Sequence, residues 1–333
     1  MKKEEAKVMA QKLQTIPNGT LSVKDCRSGG VSSALFGEQF QAVTAGKGYV
    51  EAYEPFPGIE VSFNTFLASQ VSFRHGASDS ALEIYYCRSG RVGWNMQGGT
   101  AVYLGAGDVT VHSMACCADS SMMFPLGYSE GISISVDLKQ LHSLCPEILK
   151  DGGVEAHRLR ERFCAGKPWA IPSCSDLEHI FAPLFSSPGS VGMALLKLKV
   201  LEMLVYLSNR KAWGKELTQY FSRQTELIKE IHKQLTEHLD QRFTIAELSK
   251  AYLINTSTLK EIFKAVYGQP IATYMKEYRV QQAMKLLRET DASIADVANR
   301  VGYETQGKFS KAFKDVVQVL PTEYRKTYQN GEQ

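Results

Sequence analysis

Apolar positions in the last third of the chain recur at helical spacing, and the whole pattern occurs twice, 50 residues apart. Leu259, Phe263, Lys264, Val266 and Tyr274 return as Phe309, Phe313, Lys314, Val316 and Tyr324. Leu259, Ile262, Phe263 and Val266 fall at i, i+3, i+4 and i+7, which marks one buried stripe; Phe309, Ala312, Phe313 and Val316 repeat it. A helix start precedes each stripe: Thr244-Ile-Ala-Glu-Leu-Ser and Ser293-Ile-Ala-Asp-Val-Ala. Thr244 and Ser293 read as N-caps, with Glu247 and Asp296 three residues on, as in a capping box. A capped helix, a short turn and a second amphipathic helix predict a helix-turn-helix, present twice between Thr244 and Arg325. Pro270–Leu287 reads as the helix between the copies, with Pro270 in its first turn. A rod of that length spans about 27 Å. It can hold two recognition helices about one DNA turn, ~34 Å, apart on one side of a duplex.

The first half alternates instead. Strands are expected from Tyr49 on, then at Ile59–Leu67, Gln70–His75, Leu82–Arg88, Val92–Met96, Ala101–Leu104, Val109–His112, Ser120–Phe124 and Gly131–Val136. Turn signals at Ser89-Gly, Gly98-Gly and Gly105-Ala-Gly-Asp part them. Many short strands at this spacing predict a small barrel or double sheet. Along Glu83–Arg88, Ile84 and Tyr86 share one face, and Glu83, Tyr85 and Cys87 the other.

From Asp137 the period becomes helical: Asp137–Leu144, His157–Phe163, Asp176–Phe185 and Val191–Leu207. In the last of these, apolar residues spill over both sides of Lys197, Lys199 and Glu202, more than one buried stripe needs. One side is expected to pack on the barrel and the other to meet a second subunit. Lys2–Leu13 reads as a short amphipathic helix, Ser28–Ser33 as a flexible break, and Thr225–Leu239 as the opening helix of the last domain.

Each second helix of the repeated unit also has a polar face. Ser257, Thr258, Lys260, Glu261 and Lys264 lie on the first, and Gln306, Gly307, Ser310, Lys311 and Lys314 on the second. Short hydroxyls, amides and cations suit base edges and phosphates in a major groove. One such face is ordinary solvated surface; two, each behind a capped helix and a tight turn, point to double-stranded DNA as partner.

Thr244–Arg325 resembles the DNA-binding domain of the AraC/XylS transcription regulators. The resemblance rests on Ala246-Glu-Leu-Ser, Leu259-x3-Phe263, Tyr267-Gly268, Tyr274, Arg279-x3-Ala283, Leu286-Leu287, Ile294-Ala-Asp-Val-Ala298, Gly302-Tyr303, Phe309-x3-Phe313 and Pro321-x2-Tyr324-Arg325. It covers about a quarter of the chain. Two departures bear on turns: Gln318 stands where the family usually has Gly, and Glu304 where a Ser or Thr cap is usual, with Thr305 as the substitute cap. The resemblance implies base contacts from Ser257, Lys260 and Glu261 in one groove and from Gly307, Ser310 and Lys311 in the next. Glu83–His112 resembles the cupin-like sensor domains of the same regulators, and Lys197-Leu-Lys-Val-Leu-Glu their dimerisation segment.

Composition adds limits. Apolar content of 44% and charged content of 22% are ordinary for a globular protein. No run of 18 apolar residues occurs and no apolar h-region follows Met-Lys-Lys-Glu-Glu, so a cytoplasmic protein with no membrane partner is expected. From Arg223 onward 17 Lys and Arg stand against 14 Asp and Glu, a surplus of three; the other 21 and 21 cancel. The net charge of +3 thus sits wholly in the DNA-binding half. All seven cysteines precede that half, with no C-x-x-C, and read as buried thiols. Cys116-Cys117 leaves a redox or metal sensor as an alternative. Cupin enzymes hold a metal with an H-x-H cluster followed by Glu; His75 and His112 are isolated, so neither a metal, a cofactor nor an enzyme is expected.

The barrel is instead expected to enclose a small organic effector, with Tyr86, Trp94, Met96, His112 and Phe124 on its inner wall. The expected fold is α+β: a cupin-like barrel over 1–136, a helical dimerisation segment over 137–212, a linker over 213–223, and an all-α domain with two helix-turn-helix units over 224–333. The function it predicts is a ligand-responsive transcription regulator, a homodimer that meets RNA polymerase if it activates. The alternatives are a regulator that binds DNA with no ligand and an enzyme built on the barrel.

Overall fold

A computed structural model describes residues 13–26, 41–74, 78–96, 98–118, 120–164, 166–185, 192–210 and 216–329. The chain divides into two compact units, Met1–Ser222 and Arg223–Gln333. The expected helix at Lys2–Leu13 except its last residue, the break at Ser28–Ser33, His75 and part of the linker lie outside the described residues.

The first unit is mostly strand. It runs β1 (Thr20–Asp25), β2 (Gln41–Phe56), β3 (Ile59–Arg74), β4 (Ala81–Gly90), β5 (Val92–Met96), β6 (Thr100–Leu104) and β7 (Val109–Ser113). A single helical turn α1 (Met114–Cys117) leads to β8 (Ser121–Met123) and β9 (Tyr128–Asp137). Then come α2 (Leu138–Leu144), α3 (Glu147–Asp151), α4 (Ala156–Phe163), β10 (Trp169–Ile171), α5 (Ser175–Phe181), α6 (Met193–Asn209) and β11 (Tyr220–Phe221). The strands form one curled sheet in the order β10-β7-β4-β9-β3-β8-β5-β6-β11, with β2 and β1 branching from β3. All the pairings are antiparallel except β1 on β2. The architecture is α+β, an open half-barrel with a helical layer on its outer face.

Ile59–Leu67 and Gln70–His75 are not two strands. Ala68-Ser69 reads locally as a break, yet β2 pairs along both halves while β9 and then β8 take the other edge. Pairing on both sides carries the extended backbone through. β10 and β11 escape sequence reading because three and two residues have no period; their partners β7 and β6 impose the conformation.

Alternation in β4 divides the unit into two cores. Leu82, Ile84 and Tyr86 meet Val111, Ile134 and the helices, where Leu159, Phe181, Leu196, Val200, Met203 and Leu204 are buried. Each such burial is worth ~1.5–3 kcal/mol before entropy. Tyr85 and Cys87 face Phe66, Trp94, Met122 and Phe124 inside the curl. The Asp137 side chain accepts from the Lys139 and Gln140 N–H groups, capping α2. Helix α6 packs on the barrel side through Leu196, Val200, Met203, Leu204 and Leu207, while Leu198 stays 60% exposed.

The second unit is all helix: α7 (Ser222–Glu237), α8 (Ile245–Ala251), α9 (Thr256–Tyr267), α10 (Ile271–Glu289), α11 (Ile294–Arg300), α12 (Gln306–Val317) and α13 (Pro321–Gln329). The connecting rod α10 is 19 residues long, about 28 Å. Its first half carries Tyr274, whose ring lies 5.6 Å from Phe263 and 5.1 Å from Tyr267. Its second half buries Val280, Ala283 and Leu287 against Val297, Phe309 and Phe313.

Candidate nucleic-acid interface

Two recognition helices, α9 and α12, are built alike. In the first copy the Thr244 hydroxyl accepts from the Glu247 N–H at 3.2 Å, and the Glu247 carboxylate accepts from the Thr244 N–H at 2.8 Å. This full capping box holds the Glu247 carboxyl below the usual range. In the second, the shorter Asp296 does not close the box: it accepts from the Ser293 hydroxyl at 2.6 Å while that hydroxyl accepts from the Asp296 N–H at 3.1 Å. Asn255 caps α9 by accepting from the Thr258 N–H at 2.8 Å, and Thr305 caps α12 by accepting from the Lys308 N–H at 3.3 Å. Thr305 therefore does replace the cap that Glu304 lacks.

Each recognition helix is pinned from behind by an aromatic pair. Phe263 meets Tyr274 edge-on at 5.6 Å, and Phe313 meets Tyr324 edge-on at 5.5 Å. The two tyrosine hydroxyls find different partners: the ring nitrogen of His232 at 2.8 Å in the first copy, and the Arg288 guanidinium at 3.2 Å in the second. His232 also stacks on Tyr267, with centroids 4.3 Å apart, and burial pushes it down to about 4, so it is neutral at physiological pH. The turns before the two helices both need a left-handed residue. Gly302 supplies it in the second copy (φ 80°), but Leu253 does so in the first (φ 51°) while 95% exposed. The Gly302 carbonyl accepts from Arg279 at 3.2 Å and Arg242 at 3.3 Å, which ties this turn to α10.

The faces opposite these anchors point outward. Ser257, Lys260, Glu261 and Lys264 are exposed on α9, with Thr258 half-buried. On α12 Gln306, Gly307, Lys311 and Lys314 are exposed and Ser310 half-buried. A Cβ at Gly307 would meet nothing within 4 Å, so the protein itself gives no steric reason for glycine there. The Ser257 hydroxyl donates to the capping Asn255 at 2.7 Å, leaving its acceptor positions. Val316 is not in the buried stripe as its counterpart Val266 is; it is 36% exposed against 0%. Val316 is the last residue but one of α12, which stops at Val317 with Gln318 as its left-handed cap. Thr256 is exposed at the position equivalent to Gln306 and escaped sequence reading, although the 50-residue offset marks it.

A family model described as a helix-turn-helix domain matches residues 248–327. A putative AraC-like transcription regulator from Streptomyces lividans is 38% identical over 84 residues, which are 25% of this chain and 28% of that one. The C-terminal unit is an AraC-type helix-turn-helix domain. The transcriptional activator RhaR of Mannheimia succiniciproducens is 33% identical over 94 residues, 28% of this chain and 34% of that one. The chain thus spans about three tenths of the length of such relatives. Among solved structures, the DNA-binding domain of AdpA in complex with a target DNA matches 32% of this chain and 95% of its own at 25% identity, with a TM-score of 0.31. These curated relatives are transcription regulators, not enzymes.

Ahead of the AraC-type domain, the five residues expected on an inner wall do not come together. Trp94, Met96 and Phe124 share the core inside the curl, and His112 faces the same side of β7. Tyr86 faces the other way, stacked on Phe181 at 4.3 Å under the helices. The residue that meets Trp94 is Tyr85, edge-on at 4.8 Å. Alternation along β4 separated Tyr85 from Tyr86 correctly; which of the two faces turns inward is set by the helical layer. Burial pushes the Cys117 thiol well above its ordinary value, which keeps it the unreactive thiol near neutrality. Among the described residues no three His, Cys, Asp or Glu side chains are grouped to hold a metal ion, and no helix is long and apolar enough to cross a membrane.

Proposed function

We propose that this protein is a sequence-specific DNA-binding transcription regulator whose half-barrel senses a small organic effector. The observation that carries the first part is the paired construction of α9 and α12: a side-chain N-cap, a Phe–Tyr pin and an outward polar face, twice in one unit. Ser257, Lys260 and Glu261 read one major groove, and Ser310 and Lys311 the next, with Gly307 at close backbone approach. Thr258, Gln306, Lys264 and Lys314 flank them, the two lysines on phosphates. One chain then covers two successive grooves, so its site need not be a palindrome.

The test is a binding-site selection followed by salt titrations on the selected duplex. Lys260→Ala and Lys311→Ala are expected to lose ~1–3 kcal/mol of discrimination at one base position each. Lys264→Ala and Lys314→Ala are expected to weaken binding to all sequences alike and to reduce the salt slope by about one each. Unchanged sequence preference in both of the first pair would sink this assignment of faces.

Effector sensing is supported by the curl's inner core of Trp94, Met96, Phe124 and Tyr85, aromatic surface of the kind that stacks on organic molecules. Dimerisation is supported by α6, which leaves Leu198 at 60% exposure after its inward stripe is buried. The pairing surface is the Leu198 side; Leu196 and Leu204 belong to the subunit's own core. A cytoplasmic homodimer, with 1–136 sensing, 137–212 pairing subunits, 213–223 linking and 224–333 on DNA, completes the reading. An activator of this kind would also meet RNA polymerase.

A further inference from the structure

One row of side chains crosses the inner face of the half-barrel, at the end away from Trp94. Register places Glu60 of β3 beside Ser135 of β9, Ser135 beside Glu83 of β4, and Glu83 beside His112 of β7. All four are buried, at 8%, 3%, 8% and 1% exposure. Two carboxyl groups thus stand two strands apart, about 10 Å at the usual strand spacing, with one hydroxyl between them. Burying such groups costs several kcal/mol each unless they are paired.

The next rows along the same face hold hydrogen-bonded polar groups. Asn64 donates to the Ser133 hydroxyl at 3.1 Å and accepts from Ser62 at 3.2 Å; Thr110 donates to the Trp169 carbonyl at 3.0 Å. The Ser135 hydroxyl donates to the Met114 sulfur at 3.6 Å. One oxygen of Glu83, Oε2, has no hydrogen-bond partner. Burial pushes the Glu83 carboxyl up to about 8; the Ser133 hydrogen bond opposes this and the Glu60 charge adds to it. Around it stand Glu60 from β3, His112 from β7, Ser133 and Ser135 from β9, Cys117 from α1 and Tyr85 from its own strand. Among these described neighbours none is a Lys or Arg.

We infer that the Glu60–Ser135–Glu83–His112 row is the polar subsite of the effector pocket and that it takes a cationic head group, a primary ammonium or an amidinium, on an apolar or aromatic body. This rests on the reading that the effector binds inside the half-barrel. The head group donates to Glu83 Oε2, and the second carboxyl, Glu60, adds negative potential from the same row. The body extends along the strand direction to Tyr85, two residues on, and to Trp94 beyond it. A neutral polyol would gain nothing from the Glu60 charge, and a carboxylate ligand would be repelled by it. Binding is coupled to a proton: Glu83, largely protonated at neutral pH, releases one proton to solvent as the cation seats.

The test uses the full chain with phenethylamine as probe and 2-phenylethanol as its neutral counterpart, by calorimetry and thermal shift. Phenethylamine is expected to bind the wild type, with a Kd weakening about fifty-fold between about pH 8 and about pH 6, as one group with a pKa of about 8 takes up its proton. Glu83→Gln, which keeps the shape and removes the buried acid, is expected to fold and to lose both the affinity and the pH slope. Glu60→Gln is expected to weaken binding less and to keep the slope. A slope that persists in Glu83→Gln would assign the proton to another group, such as His112, and overturn the inference. Equal binding of amine and alcohol, both abolished by Trp94→Ala, would overturn the cationic class and leave the half-barrel pocket standing. Binding of neither probe also overturns the inference, and the pocket is then judged by its own operator titration.

Discussion

Gly302 is the residue whose replacement has the most to show about the domain. It occupies the turn between α11 and α12 at φ 80°, where a Cβ would overlap the Leu239 carbonyl and stand 3.0 Å from the Arg279 guanidinium carbon. For Gly302→Ala the left-handed backbone alone costs ~1–2 kcal/mol. The Leu239 contact is with backbone, so the turn itself must shift. Moving it loosens the two guanidinium hydrogen bonds to the Gly302 carbonyl, from Arg279 and Arg242. Each such charge-assisted bond is worth about 1.5–3 kcal/mol, and partial loss of both brings the total to about 3–5 kcal/mol. Gln318 is the control: it holds the same left-handed conformation at φ 68°, but at an exposed helix end. Gln318→Gly is expected to stabilise by up to ~1 kcal/mol. The assay is urea unfolding followed by far-UV ellipticity, with hydrogen exchange read on peptides covering Ile294–Val317; tryptophan fluorescence does not serve, because Trp94, Trp169 and Trp213 all precede this domain. A Gly302→Ala protein within about 0.5 kcal/mol of wild type, the ordinary range for surface changes, would show that neither the turn nor its arginine contacts constrain the recognition helix.

Three further outcomes are expected. Trp94→Ala should keep its fold and its DNA affinity yet lose response to effector, a loss of about 5–150-fold in operator affinity; equal responses in the two proteins would place the effector elsewhere. Leu198→Arg should yield a folded monomer by sedimentation, whereas Leu204→Arg, fully buried in the subunit, should unfold it; a Leu198→Arg dimer would remove α6 from the interface. His232, lowered to about 4 from its ordinary 6.5, binds fewer protons folded than unfolded. Its contribution is therefore complete above about pH 6.5 and is lost as pH falls toward about 4, by roughly 3 kcal/mol. His232→Gln should flatten that acid limb; an unchanged limb would assign it to other groups.

Much of the DNA-binding domain was legible in the chain because everything that builds it is local. A stripe at i, i+3, i+4 and i+7, a cap and a connecting rod each need only a few turns of sequence, and the repeat let one copy interpret the other. The Thr244 box and the Thr305 cap formed as the residue types require. What escaped were features without such a period: the left-handed Leu253, and the half of the tyrosine pins supplied from outside the repeat by His232 and Arg288. In the half-barrel, the sequence determined which residues share a face, since alternation is a property of the single strand; it put Tyr86 and Tyr85 on opposite sides. Only the tertiary structure decided which side is inner. It set Tyr86 against Phe181, brought Tyr85 to Trp94, and aligned Glu60, Ser135, Glu83 and His112 in one row. Those four residues lie far apart along the chain. Their adjacency comes from strand register, which is fixed by the burial of whole sheet faces and not by any local preference.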